Sequence, residues 1–220
     1  LTVLNVMAIN LPTFSRVQHK PDILAKGLEL SLFFITLFIF PIIIGMAVFI
    51  HPLLSVFADQ YGKWMPAAMS FALFSLSIGW SAVSTPLTNL LNAVGKINQT
   101  LKLMIGWTVL TWVLTPPLIW FFGYNGVALA ALLISFTSIA AVFMVKRELP
   151  FKLLPNVGPQ LLAASMMGIV GLVGRSYWSM SLPHLVSGTI ITAGVYFVLV
   201  TLLARERLIT NVQYIVRRRK

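Results

Sequence analysis

Leu30–Ile50 reads LSLFFITLFIFPIIIGMAVFI, a run without one charged side chain and with hydroxyls only at Ser31 and Thr36. An α-helix rises about 1.5 Å per residue, so this run matches the roughly 30 Å hydrocarbon core of a bilayer. It shows no apolar/polar alternation of period two, and in lipid only helices and closed barrels satisfy their own backbone. It therefore reads as a membrane-spanning helix. Working outward, charge-free stretches of similar length recur between Lys63 and Lys96, Lys102 and Lys146, Lys152 and Arg175, and Arg175 and Arg205. The stretch from Lys102 to Lys146 is long enough for two spans and divides at the turn sequence Gly123-Tyr124-Asn125-Gly126. Residues 1–15 read as the end of a truncated span. The lobe at 16–204 then holds six full spans, at about 30–54, 65–94, 103–122, 127–145, 159–174 and 183–204. Prolines 159 and 183 suit the opening turns of the last two. The expected fold is an all-α, polytopic transmembrane bundle.

Composition agrees. Of 220 residues, 58% are apolar and 10% charged, and mean hydropathy is +0.91. Soluble domains carry about 25% charged residues, and a chain this apolar cannot hide its surface in a water-soluble globule. The formal charge of +11, from 16 Lys+Arg against 5 Asp+Glu, does not signal nucleic acid. With six spans, fourteen of the sixteen cations fall on one side, from Arg16 and Lys20 through Lys96, Lys102, Lys146, Arg147 and Lys152 to the tail Arg217–Lys220. Lys63 and Arg175 stand alone on the other. By the positive-inside rule the richer side is cytoplasmic. This places the chain as a multi-pass protein of the cytoplasmic (inner) membrane, with the basic tail 205–220 in the cytoplasm. Within that tail Leu208, Val212 and Ile215 have the spacing of a short surface helix. The chain has no Cys, hence no disulfide or thiolate. His19, His51 and His184 have no ligand partner at metal spacing. Nothing in the sequence asks for a metal or other cofactor.

Polar and helix-breaking residues inside the spans mark where function would lie. No Asp, Glu, Lys or Arg sits in mid-span, where proton relays keep such groups. Pro41, Pro86 and the pair Pro116-Pro117 each remove a backbone hydrogen bond and are expected to break or kink their helices. Transporters use such breaks to bend and to line cavities. At 100° per residue, Ser70, Ser77, Ser81, Ser84, Thr85, Thr88 and Asn92 form one stripe on the second span, with Asn89 at its border. Thr108, Thr111 and Thr115 share a face of the third span, and Thr189, Thr192 and Tyr196 one of the sixth. The stripe on the second span includes amides and reads as the lining of a hydrated cavity; the shorter sets serve equally as interhelical glue. The first span, with Thr36 alone, is expected to face lipid over much of its surface. Small residues at i, i+4, namely Gly126/Ala130, Ala131/Ser135 and Ala164/Gly168, mark close helix packing.

Three segments, in order, resemble a known family: Leu11-Pro12-Thr13-Phe14-Ser15 after the truncated span; Asn89-Leu90-Leu91-Asn92-Ala93-Val94-Gly95-Lys96 closing the second; and Gly123-Tyr124-Asn125-Gly126-Val127-Ala128-Leu129-Ala130-Ala131 joining the third and fourth. The set is similar to the C-terminal half of polysaccharide-biosynthesis flippases, such as O-antigen flippases, of the multidrug/oligosaccharidyl-lipid/polysaccharide exporter superfamily. The resemblance implies two pseudo-symmetric lobes around a central cavity, the N-terminal lobe lying upstream of Leu1. It implies a substrate of oligosaccharide linked to polyprenyl diphosphate, whose head crosses the membrane by alternating access while the tail stays in the bilayer. Pro12, Gly95, Gly123, Gly126 and Ala130 would be its structural positions. Ser81, Thr85, Thr88, Asn89, Asn92, Thr108, Thr111 and Thr115 are the candidate cavity lining. Two other readings compete: a multidrug-type exporter of the same superfamily, and a membrane polymerase. The polymerase needs acid–base groups near the surface, and the outer side offers only His51, Asp59, Lys63, Arg175 and His184, without paired carboxylates. The sequence therefore points to a transporter rather than an enzyme.

Overall fold

The structure, a computed structural model, describes residues 21–57 and 62–217. Pro12 and the other residues of 1–20 lie outside the described residues, as do Asp59 and Arg218–Lys220. Among the described residues all regular structure is helical. The elements are α1 (Pro21–Val56), a 3-10 segment (Gly62–Ala67), α2 (Ala68–Ala93), α3 (Ile97–Phe122), α4 (Asn125–Thr137), α5 (Ile139–Glu148), α6 (Leu154–Val173), α7 (Arg175–Trp178) and α8 (Leu182–Arg217). Six segments are long and apolar enough to cross a membrane, with α4 and α5 together forming the fourth. The chain is an all-α polytopic bundle.

Several helices outrun the apolar runs that announce them. Pro21 and Asp22 start α1 well before residue 30: proline suits the first turn, and a carboxylate suits the positive end of the helix dipole. Pro155, near the start of α6, does the same ahead of Pro159. At the other end, α8 continues through the basic tail to Arg217, so residues 208–215 prolong the last span instead of forming a separate helix.

α1 is the hub. It packs against α2, α6 and α8, and Leu24, Leu28, Leu32, Phe33 and Thr36 are fully or almost fully buried. The expectation that it faces lipid over much of its surface holds for one side, where Phe38, Ile42, Met46 and Leu53 stay exposed, while the other side is the centre of the bundle. The reason lies partly in its neighbour. Built on its backbone, a Cβ at Gly168 of α6 would lie 2.9 Å from Ile44 Cγ2, and one at Gly171 would lie 2.6 Å from Val48 Cγ1. Small residues on α6, with Ala163 and Ala164 fully buried, let the bulky face of α1 approach closely.

Two motif segments prove to be helix punctuation. At the end of α2, Lys96 N donates to Leu91 O at 2.8 Å and Gly95 N to Asn92 O at 3.2 Å, with Gly95 at φ +79°. This is a Schellman closure. At the α3–α4 hairpin, Gly123 has φ 59° and ψ −142°, a conformation in which a Cβ is strained. Gly126 meets a different constraint: its Cβ would lie 2.1 Å from Leu118 O, so α4 rests on the backbone of α3. The two residues between them tie the hairpin to the entry of α2. Tyr124 Oη donates to Pro66 O at 3.1 Å, and Ser70 Oγ donates to Asn125 Oδ1 at 2.7 Å.

The fourth span is interrupted at Ser138, between α4 and α5, without a proline. Ser135 Oγ donates to Leu132 O and Thr137 Oγ1 to Ile134 O, both at 2.6 Å. Hydroxyls bonded to carbonyls three residues back compete with the backbone ladder. The prolines behave otherwise: α1, α2 and α3 run on through Pro41, Pro86, Pro116 and Pro117. Membrane helices absorb proline when a neighbour satisfies the freed carbonyl. Pro41 cannot donate to Leu37 O, and Tyr196 Oη of α8 donates to that oxygen instead, at 2.7 Å. The expected break in α1 is a docking point.

The two ends of the bundle match the alternation inferred from charge. At the basic end Lys96 pairs with Glu148 at 3.3 Å, Lys152 N donates to Glu29 Oε1 at 2.9 Å, and Arg207 Nη1 donates to Asn156 Oδ1 at 2.9 Å. At the opposite end the indole of Trp178 fills the space left by Gly174 and Gly188, whose Cβ atoms would lie 2.2 and 2.6 Å from it.

Candidate functional site

The polar stripe of α2 divides along its length. Ser84 is buried, Thr85, Thr88, Asn89 and Asn92 are half-buried, and Ser81 is exposed on the outside of the bundle. The stripe borders Phe74 and Ile78, which are also exposed. Its hydroxyls are turned back onto their own helix. Thr85 Oγ1 donates to Ser81 O at 2.7 Å, Thr88 Oγ1 to Thr85 O at 3.0 Å, and Ser81 Oγ to Ser77 O at 3.4 Å. Such bonds meet the donor and leave the oxygen lone pairs free to accept. Asn92 differs, because its Oδ1 is buried without a donor among the described residues.

On α3, Thr108 and Thr111 are exposed and Thr115 is half-buried. Thr108 Oγ1 donates to Met104 O at 2.9 Å and Thr111 Oγ1 to Trp107 O at 2.8 Å. The face they share looks away from the bundle, so the structure does not bring α2 and α3 together around one enclosed space. On α8, Thr192 and Tyr196 are buried packing groups, the former donating to Gly188 O at 2.9 Å.

Two cavities are lined by other residues, and both are almost wholly apolar. One, about 540 Å³, lies between α1, α6 and α8, with Pro41, Gly45, Met167, Thr189 and Phe197 on its walls. The second, about 390 Å³, has α1 and α2 as floor and α4 and α6 as walls. None of the stripe residues of α2 or α3 lines either one.

The sequence reading passed over a polar seam at the basic end, between α1, α6 and α8. Asn156 is buried, accepts from Arg207, and donates through Nδ2 to Lys152 O. One turn along, Gln160 is fully buried, and neither its Oε1 nor its Nε2 has a partner among the described residues. Lys26 Nζ donates to Asn211 Oδ1 at 3.4 Å. The signal was present as Asn156 and Gln160 at i, i+4 in an apolar helix, but a charge-based search for spans ignores amides.

At the opposite end His51 lies beside Ser55, and His184 contacts Ser181 and the ring of Tyr177. Among the described residues no three His, Asp or Glu side chains gather as a metal site. No family profile, characterised protein or solved structure matches the chain.

Proposed function

We propose that this chain is part of a transporter of the cytoplasmic membrane that moves polyprenyl-diphosphate-linked oligosaccharide outward by alternating access, with the basic end of the bundle in the cytoplasm. One observation carries the reading. The α2 stripe, from Ser81 to Asn92, lies along a face of the bundle that stays partly open at membrane depth. Hydroxyls and amides facing hydrocarbon gain nothing, whereas the same groups facing a water-filled cavity offer acceptors to a sugar head. A second lobe, packed opposite this face, would enclose that cavity. The Schellman end at Gly95 and the hairpin at Gly123–Gly126 add support, since the motif residues hold the rigid ends between which such a face would rock.

The test combines labelling with transport. In an otherwise cysteine-free full-length protein, Ser81→Cys, Thr85→Cys and Thr88→Cys should react with a water-soluble maleimide, because thiolate forms where water reaches. Leu76→Cys and Trp80→Cys, which point into the apolar second cavity, should not. Labelling of the stripe should change when lipid-linked oligosaccharide is supplied, and the full-length gene should restore surface polysaccharide to a flippase-null strain. Equal labelling of stripe and controls, with no complementation, overturns the proposal.

A further inference from the structure

The second cavity is a lateral groove with a built-in charge asymmetry. Its walls, α4 and α6, scarcely touch each other, although α5 and the segment 149–153 join them in sequence. Phe40 and Ile43 of α1 and Val83 of α2 form its floor, and Trp80 meets Phe136 edge-to-face at 5.7 Å on one flank. Val157, Gly158 and Leu161 form the other flank, and Leu153 and Leu154 carry the groove to the basic end of the bundle. A slot of about 390 Å³ is of ligand-binding size, and only an apolar chain suits its lining.

The connection that leads into that end, from the close of α5 to Leu153, carries Lys146, Arg147 and Lys152, all exposed. Two carboxylates lie near them against three cations, and both are engaged: Glu148 by Lys96 at 3.3 Å and by Gln99 Nε2 at 2.9 Å, and Glu29 by the Lys152 amide at 2.9 Å. None of the three cations forms an ion pair among the described residues. Lys152 is adjacent in sequence to the groove residue Leu153, and its amide N–H is fixed by Glu29. Cations gathered at the headgroup level of a membrane attract anionic lipid.

We infer that this groove is a binding site for an anionic phospholipid of the surrounding bilayer, with one acyl chain between α4 and α6 and its phosphate at Lys146, Arg147 and Lys152. The apolar slot selects a chain, the cations select negative charge, and the connection from α5 to α6 places the two at adjoining levels. This site is separate from the polar face of α2 and does not depend on what the protein transports.

Gly158 provides the means of testing it. A Cβ built there meets nothing within 4 Å, and Gly158 lines the slot, so Gly158→Leu extends a side chain from the helix into it. The experiment uses the full chain, delipidated in mild detergent and titrated with phosphatidylglycerol or with phosphatidylcholine of the same chains, following the thermal unfolding midpoint and bound lipid by native mass spectrometry. Phosphatidylglycerol should raise the midpoint saturably and remain bound, at an affinity about tenfold or more above that of phosphatidylcholine. The triple variant Lys146→Gln/Arg147→Gln/Lys152→Gln should lose that preference. Gly158→Leu should lose the lipid-dependent shift while unfolding no earlier than the parent without lipid. Equal shifts for both lipids in parent and triple variant overturn the inference. So does a full phosphatidylglycerol shift in Gly158→Leu, or retention of a polyprenyl phosphate that phosphatidylglycerol cannot displace.

Discussion

α1 and α3 are both long, apolar and proline-containing, yet they occupy opposite situations. In α1, the most apolar of the six spans, 39% of the best spanning window is buried; in α3, with three threonines along one face, 6% is. A soluble protein would be sorted the other way, because water drives the greasier element inward. In lipid that drive is absent between helices, and close packing decides. α1 meets the small residues of α6, and its Leu37 carbonyl receives Tyr196. α3 packs chiefly on α4, where Gly126 rests on its backbone, and presents Trp112, Trp120 and Phe121 outward. In a membrane, then, polarity tells which groups need a partner, and small residues tell which helices find one.

The largest effect that could break this comparison is expected at the contact on which α3 depends. Gly126→Leu would drive a side chain into the Leu118 carbonyl, where backbone cannot yield. It should cost about 3 kcal/mol or more and sharply lower the yield of folded protein in detergent. Normal yield would show that α3 is held by other contacts. Next comes truncation in the two helices. Leu32→Ala, at a fully buried site in α1, should cost about 2–5 kcal/mol. Trp120→Ala on α3, where the side chain is 86% exposed, should stay within about 0.5 kcal/mol. Similar costs in a denaturant titration in micelles would erase the contrast between hub and outlier.

A double-mutant cycle sharpens the α1 side. Tyr196→Phe leaves Leu37 O without its donor and should cost about 1 kcal/mol. In a Pro41→Ala background residue 41 regains its N–H, the helix can satisfy that oxygen, and the same change should cost appreciably less. Additive effects would mean that proline and phenol are unconnected. The smallest effect is expected at Thr111. Its hydroxyl bonds only to Trp107 O of its own helix, so Thr111→Val should change stability by no more than about 0.5 kcal/mol. A large loss would reveal a partner for the outward face of α3.

Much of the architecture could be read from charge alone. The charge-free intervals locate all six spans, and the fourteen-to-two distribution of cations assigns 26–29, 96–102, 146–152 and 205–207 to one end, where Lys96–Glu148, Glu29–Lys152 and Arg207–Asn156 are found in contact. Helix ends were less legible, since Pro21 and Pro155 act through backbone geometry outside the apolar runs. That α1 runs on through Pro41 could not be read from sequence, because a missing N–H is a local fact, while its remedy lies 159 residues from Leu37 at Tyr196. The stripe on α2 was visible as an angular pattern, but which way it faces depends on how α1, α4 and α5 surround that helix. Periodicity in one helix carries no information about its neighbours.

The bond between Tyr196 and Leu37 also has a consequence in time. α1 leaves the ribosome long before α8, and on entering the bilayer its helix already contains, at Leu37, a carbonyl that its own backbone cannot serve. Until α8 has been synthesised and inserted, that oxygen has no Tyr196 to receive. Biogenesis of this bundle is therefore incomplete in a chemical sense until α8 arrives. A nascent chain stalled before Tyr196 would present α1 unfinished, a mark that membrane quality control could read.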